Sequence, residues 1–147
     1  GQRGSRRGWI MATIEQRIEN LERLLQARSS PVSVYAGGVV ARNRIQGHKG
    51  ADIASADTIT LGNDGNYFDI TGTTTINHID NSGWQTGSMV TLQFDASVTV
   101  THNSGTPTGS EASLLLSGAG NLSATAHDTL TLVYDGTTWR EVARTVI

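Results

Sequence analysis

Apolar residues recur first at spacings of three and four and then, beyond residue 31, at spacings of two. Met11, Ile14, Ile18, Leu21 and Leu25 make the first pattern, which predicts a short N-terminal coiled-coil helix within residues 11–30. Leu24 adds apolar surface beside the stripe. Thr13-Ile14-Glu15-Gln16 matches a capping box, placing the helix start at Thr13 or slightly earlier. Ser29-Ser30-Pro31 ends the pattern near Arg28, because proline lacks the backbone donor and disfavours helix in the residue before it. An isolated helix under about 15 residues is marginal in water. Its stripe therefore predicts packing against other copies, with Arg17 and Glu22 placed to pair between neighbouring helices.

From Val32 the pattern predicts strands at Val32–Tyr35, Val39–Ile45, Thr58–Leu61, Tyr67–Ile70, Thr74–Ile79, Met89–Phe94, Val98–His102, Ser113–Leu116, Thr129–Tyr134 and Thr138–Ala143. They are rich in Val, Ile and Thr and are punctuated by Gly, Asn and Asp. Phe68, Ile70, Leu92, Phe94, Leu130 and Leu132 fall on one face and are the expected core, with Trp139 as the largest anchor. Asp135-Gly136 between Tyr134 and Trp139 marks a hairpin. Repeated short strands without intervening helices predict a mainly β fold, an antiparallel β-sandwich or jelly-roll-like domain behind the helix. The expected organisation is an arm over residues 1–10, the helix over 11–30, a linker with first strands over 31–57, and a β domain over 58–147.

Composition narrows the function classes. The chain has 147 residues, of which 37% are hydrophobic and only 16% charged, so its surface suits uncharged polar contacts. A net charge of −2 argues against an electrostatic nucleic-acid binder. The absence of cysteine removes disulfides and thiolate metal sites. No apolar run approaches the roughly 18 residues of a membrane span, and no hydrophobic leader precedes the helix, which fits assembly inside a cell. Residues 1–10 precede Met11, a plausible initiator, and are either an added segment or part of a longer natural chain. Arg3, Arg6 and Arg7 sit there among glycines and are a candidate anchoring arm toward a neighbouring subunit or an acidic protein surface.

Three segments, GNYFDITGTTTINHID (65–80), MVTLQFDASVTVTHNSG (89–105) and GAGNLSATAHDTLTLVYDGTTWREVAR (118–144), resemble a β module recurring in tailed-phage fibre and related virion surface proteins. The resemblance covers roughly Asn66 to Arg144. It implies a homotrimeric fibre, spike or decoration component, located in the virion and in contact with other capsid or tail proteins. The chain departs from the common arrangement by being small and by carrying its own N-terminal coiled coil. Head fibre, tail fibre and capsid decoration therefore all stay open.

The candidate chemistry is sparse. His48, His78, His102 and His127 lie in different segments, none at metal-ligand spacing and without the His-x-His repeat of some fibre tips. They are read as ordinary polar residues. Gly62-Asn63-Asp64-Gly65-Asn66 is read as a turn, since it lacks the alternating acids and closing Glu of a calcium loop. Asp69, Asp80, Asp95, Asp128, Asp135 and Glu141 are scattered over strand ends and turns, and no nucleophile elbow, phosphate loop or zinc-protease helix is present. The expectation is no enzyme, no metal and no cofactor. Trp84, Trp139, Tyr35 and Tyr67 are the residues able to stack on sugars; Trp139 is assigned to the core, and Trp84, flanked by Ser82-Gly83 and Gln85-Thr86-Gly87, is the candidate ligand contact. The exposed loop His102–Ser110 joins it as a recognition surface. Two further readings therefore stand behind the structural one, a receptor- or glycan-binding adhesin module and a glycan-cleaving enzyme.

Overall fold

A computed structural model describes residues 13–25, 32–35, 38–41 and 44–147. The candidate arm residues Arg3, Arg6 and Arg7, together with Met11 and the expected helix end at Arg28, lie outside the described residues. The chain divides into two compact units, Gly1–Gln46 and Gly47–Ile147. The second unit thus takes in residues that the sequence pattern assigns to a linker.

The first unit contains helix α1, covering the described residues 13–25, and an antiparallel pair, β1 (Val32–Tyr35) and β2 (Gly38–Ala41). On α1 the residues of the stripe, Ile14, Ile18, Leu21, Leu24 and Leu25, are 44–64% exposed.

The second unit is mainly β. Its strands are β3 (Ile53–Ala54), β4 (Thr58–Ile59), β5 (Tyr67–Thr71), β6 (His78–Asp80), β7 (Met89–Phe94), β8 (Val98–Val100), β9 (Glu111–Leu115), β10 (Leu122–Ala124), β11 (Thr129–Tyr134) and β12 (Trp139–Thr145). Eight of them form one sheet in the order β3-β5-β7-β11-β12-β9-β6-β4, while β8 and β10 pair separately. The outer strands β3 and β4 follow one another directly along the chain, so the sheet curls until it is nearly closed.

The expected wholly antiparallel arrangement does not hold. The pairs β3–β5, β5–β7, β9–β12 and β4–β6 are parallel, while β7–β11, β11–β12 and β6–β9 are antiparallel. Side chains alternate between faces in either direction of pairing, so an apolar alternation fixes which face is buried and leaves strand direction open. The strand positions themselves follow the pattern closely: β1, β7 and β11 have the predicted bounds. Thr74–Ile79 contracts to β6, with Ile76 making only a single bridge to Val100.

The core lies inside the curled sheet. Phe68, Ile70, Leu92, Phe94, Leu130, Leu132 and Trp139 are fully buried, as the alternation predicts. Trp139 packs against Tyr134, with ring centroids 5.1 Å apart, and meets Trp84 edge to face at 5.5 Å. The β11–β12 hairpin forms at Asp135-Gly136, where Gly136 takes a φ of 98° that only glycine adopts without strain. Asp135 caps this turn by accepting from the Thr137 and Thr138 amides and the Thr138 hydroxyl. Its carboxyl is held far below the usual range, first by the Thr138 amide and then by the Arg140 guanidinium. Val142 is an extra residue of β12 in a bulge opposite Thr131 and Leu132.

Candidate functional site

Two loops that the sequence separates meet in one open depression of about 430 Å³, lined by Leu61, Asn63, Gly65, Ser82, Trp84 and Gln85 among others. The first wall is the Gly62–Asn66 segment, which forms bends. Asp64 accepts from the Ala51 amide, Asn66 accepts from the His48 amide, and Gly65 lies directly against the backbone of His48 and Gly50. The Asp64 carboxylate is therefore committed to holding neighbouring backbone.

The second wall is built from β6 outward. Asp80 Oδ1 accepts from the Ser82 amide at 2.7 Å, and the Ser82 hydroxyl first and then this amide lower the Asp80 pKa. Gly83 then supplies a φ of 79°, and the Trp84 amide bonds the Asn81 carbonyl. Asn81 in turn donates to the Tyr134 hydroxyl at 2.9 Å. Trp84 ends half-buried, one side on the core and another on the depression. It is less free than an exposed loop tryptophan, because its ring rests on Trp139.

Two of the other candidates for stacking are committed elsewhere. Trp139 is fully buried, and the Tyr67 hydroxyl bonds Gln93. The side chain of Tyr35 lies outside the described residues.

The His102–Ser110 loop is exposed over most of its length but tied down at its base. His102 Nδ1 accepts from the Leu116 amide at 3.0 Å, and Asn121 Oδ1 accepts from the His102 amide. The Ser104 carbonyl takes the His78 Nε2 proton at 2.9 Å and the Ser113 hydroxyl at 3.2 Å. Glu111 Oε2 accepts from both the amide and the hydroxyl of Thr108, and Oε1 accepts from the Thr58 hydroxyl. These bonds, the Thr108 amide first, hold the Glu111 carboxyl below its ordinary pKa and keep it ionised.

Most scattered acids serve the backbone or an arginine. Asp128, fully buried, accepts from the Ile147 and Thr125 amides. Glu141 accepts from the Ser117 amide and pairs with Arg144. Asp69 meets Lys49, whose ammonium also contacts Asp52. Among the described residues, one group joins two acids and a histidine: ligand atoms of Asp57, His78 and Glu111 lie within 4.8 Å of one another. Their separation along the chain hides this grouping from any spacing rule. The sheet brings them together, since Thr58 pairs with His78 and His78 pairs with Ser113.

No known protein family, curated protein sequence or solved structure matches the chain.

Proposed function

We propose that the chain is a non-enzymatic structural protein of a bacteriophage virion, a trimeric head or tail fibre or decoration component displayed on the particle surface. The observation that supports it most is the stripe on α1, where five large apolar side chains stand 44–64% exposed along one helix. A helix of this length gains its stability from covering such a face, and further copies of the same stripe are its natural complement. The sequence resemblance of residues 66–144 to fibre modules points the same way. On this reading the β unit displays, while the helix and the Arg3, Arg6 and Arg7 arm attach to capsid or tail proteins.

Sedimentation of the full chain tests this, with a trimer expected and a stable monomer at high concentration refuting it. Deleting residues 1–30 should spare the trimer and abolish attachment to the particle; a monomeric deletion product would move trimerisation to the helix.

The depression beside Trp84 supports a second reading, a receptor- or glycan-binding adhesin module. An aromatic face flanked by Asn63, Ser82 and Gln85 offers the uncharged hydrogen bonds and stacking surface that sugars need. Binding on a glycan array that disappears in a folded Trp84→Ala variant would favour it over pure display.

A further inference from the structure

We propose that Asp57, His78 and Glu111 form a binding site for a divalent transition-metal cation of the Zn²⁺ type. His78 is 8% exposed, and its two ring nitrogens have different fates. Nε2 faces the Ser104 carbonyl at 2.9 Å, so in the neutral ring Nε2 carries the proton and Nδ1 carries the lone pair. Nδ1 is closed off from solvent and has no hydrogen-bond partner. A buried acceptor left in that state is costly unless something electron-poor meets it. Oxygens of the Asp57 and Glu111 carboxylates lie within 4.8 Å of a His78 ring nitrogen, and ionised carboxylates are acceptors that cannot supply a proton. A cation satisfies all three groups at once.

The donor set selects the class of cation. One imidazole nitrogen with two carboxylate oxygens is a mixed set suited to zinc and its first-row neighbours, whereas calcium and magnesium favour oxygen alone. The three ligand atoms already lie within 4.8 Å of one another. Asp57 is exposed and Asn77 donates to its Oδ1, so Oδ2 can close to the roughly 2.0–2.2 Å bond lengths of zinc.

The surrounding bonds resemble the supporting shell of a metal site. The Ser104 carbonyl fixes the His78 tautomer, Thr58 and Thr108 orient Glu111, and Asn77 donates to Asp57. Each carboxylate retains a lone pair beyond these bonds. The cation would clamp the two-residue edge strand β4 to β6 and β9, together with the base of the His102–Ser110 loop.

The test uses the full chain, stripped with a chelator and titrated with Zn²⁺ by calorimetry, while the His78 ring nitrogens are followed by ¹H–¹⁵N spectroscopy. One Zn²⁺ should bind per chain, moving the Nδ1 resonance of His78 and leaving Nε2 protonated. Asp57→Asn changes an exposed side chain and should weaken binding at least about tenfold. Glu111→Gln should do the same, and His127→Ala, outside the group, should not. No binding, an unmoved Nδ1, or unchanged affinity in both Asp57→Asn and Glu111→Gln would overturn the proposal.

Discussion

Replacing Trp139 separates two contributions that usually travel together, the packing of a large ring and the cost of its buried polar atom. The side chain is fully buried between Trp84 and Tyr134, and its indole N–H has no partner. Truncation to alanine removes the whole ring from a closed core, which costs about 3–5 kcal/mol. Loss of two aromatic contacts argues for the upper part of that range, while release of the unpaired N–H returns about 1–3 kcal/mol. The expected net loss in Trp139→Ala is about 3 kcal/mol, a large share of the roughly 5–15 kcal/mol that holds a typical domain together. Trp139→Phe keeps a ring in the same slot. It gives up about 1–2 kcal/mol of packing for the missing part of the indole and gains a similar amount by deleting the unpaired donor. Its net change should lie within about 1 kcal/mol of zero. Urea unfolding of the full chain, followed by far-ultraviolet circular dichroism, reads both variants, and an unchanged slope would confirm that the midpoint shift reports stability. A Trp139→Phe variant as unstable as Trp139→Ala would refute the reasoning, since it would mean the N–H is engaged in the folded protein.

Acid should unfold the β unit through carboxylates with lowered pKa values, namely Asp80, Glu111, Asp128, Asp135 and Glu141. Each contributes fully above its unfolded value of about 4 and loses that contribution as pH falls toward its folded value. Melting temperature should thus be level above about pH 5 and fall below pH 4. In Asp135→Asn the fall should be shallower from a lower plateau, and parallel curves would remove Asp135 from this role. At Gly65 an added Cβ would lie 2.4 Å from both the Gly50 nitrogen and the His48 carbonyl oxygen. Since both are backbone atoms, Gly65→Ala should cost about 2 kcal/mol or more by urea unfolding, and a change under about 0.5 kcal/mol would show that residues 48–50 yield freely.

The residues that go inside were legible because burial has a period. Val90-Thr91-Leu92-Gln93-Phe94 and Leu130-Thr131-Leu132-Val133-Tyr134 alternate cleanly, and every second side chain is buried. Strand direction was not legible, because parallel and antiparallel partners impose the same alternation. β3 and β10 were missed for a different reason. Ile53–Ala54 and Leu122–Ala124 are too short for a period to show, and what defines them is their pairing with β5 and β8. The Trp84 wall could be singled out from its flanking glycines, but its meeting with Gly62–Asn66 depends on tertiary folding. The Asp57, His78 and Glu111 group left almost no local trace. The only signal available was a histidine inside an alternating segment, a position that packing usually explains.

Burial arithmetic also bears on the proposed trimer. The five stripe residues of α1 are already about half covered by their own helix, so complete burial is worth about 1 kcal/mol for each, or about 5 kcal/mol per chain. Each association step costs about 4–15 kcal/mol in lost freedom. Over three chains the stripe is worth about 15 kcal/mol against about 8–30 kcal/mol for two association steps, so the stripe alone is marginal, and on the proposed reading the β unit supplies the rest. Its outer face over β7, β11 and β12 has the required character. Met89 and Val142 are each 51% exposed on the flanking strands, and between them lie Thr91, Gln93, Thr131 and Val133, with the Thr91 and Thr131 hydroxyls 2.9 Å apart. Those side chains carry no charge, with Arg140, the register partner of Val133 and already paired with Asp135, bordering them, and the two hydroxyls satisfy one another in advance. Burying such a face sets few polar groups against the apolar gain. On the proposed reading, then, the strands set the oligomeric state and the helix directs where the assembly attaches.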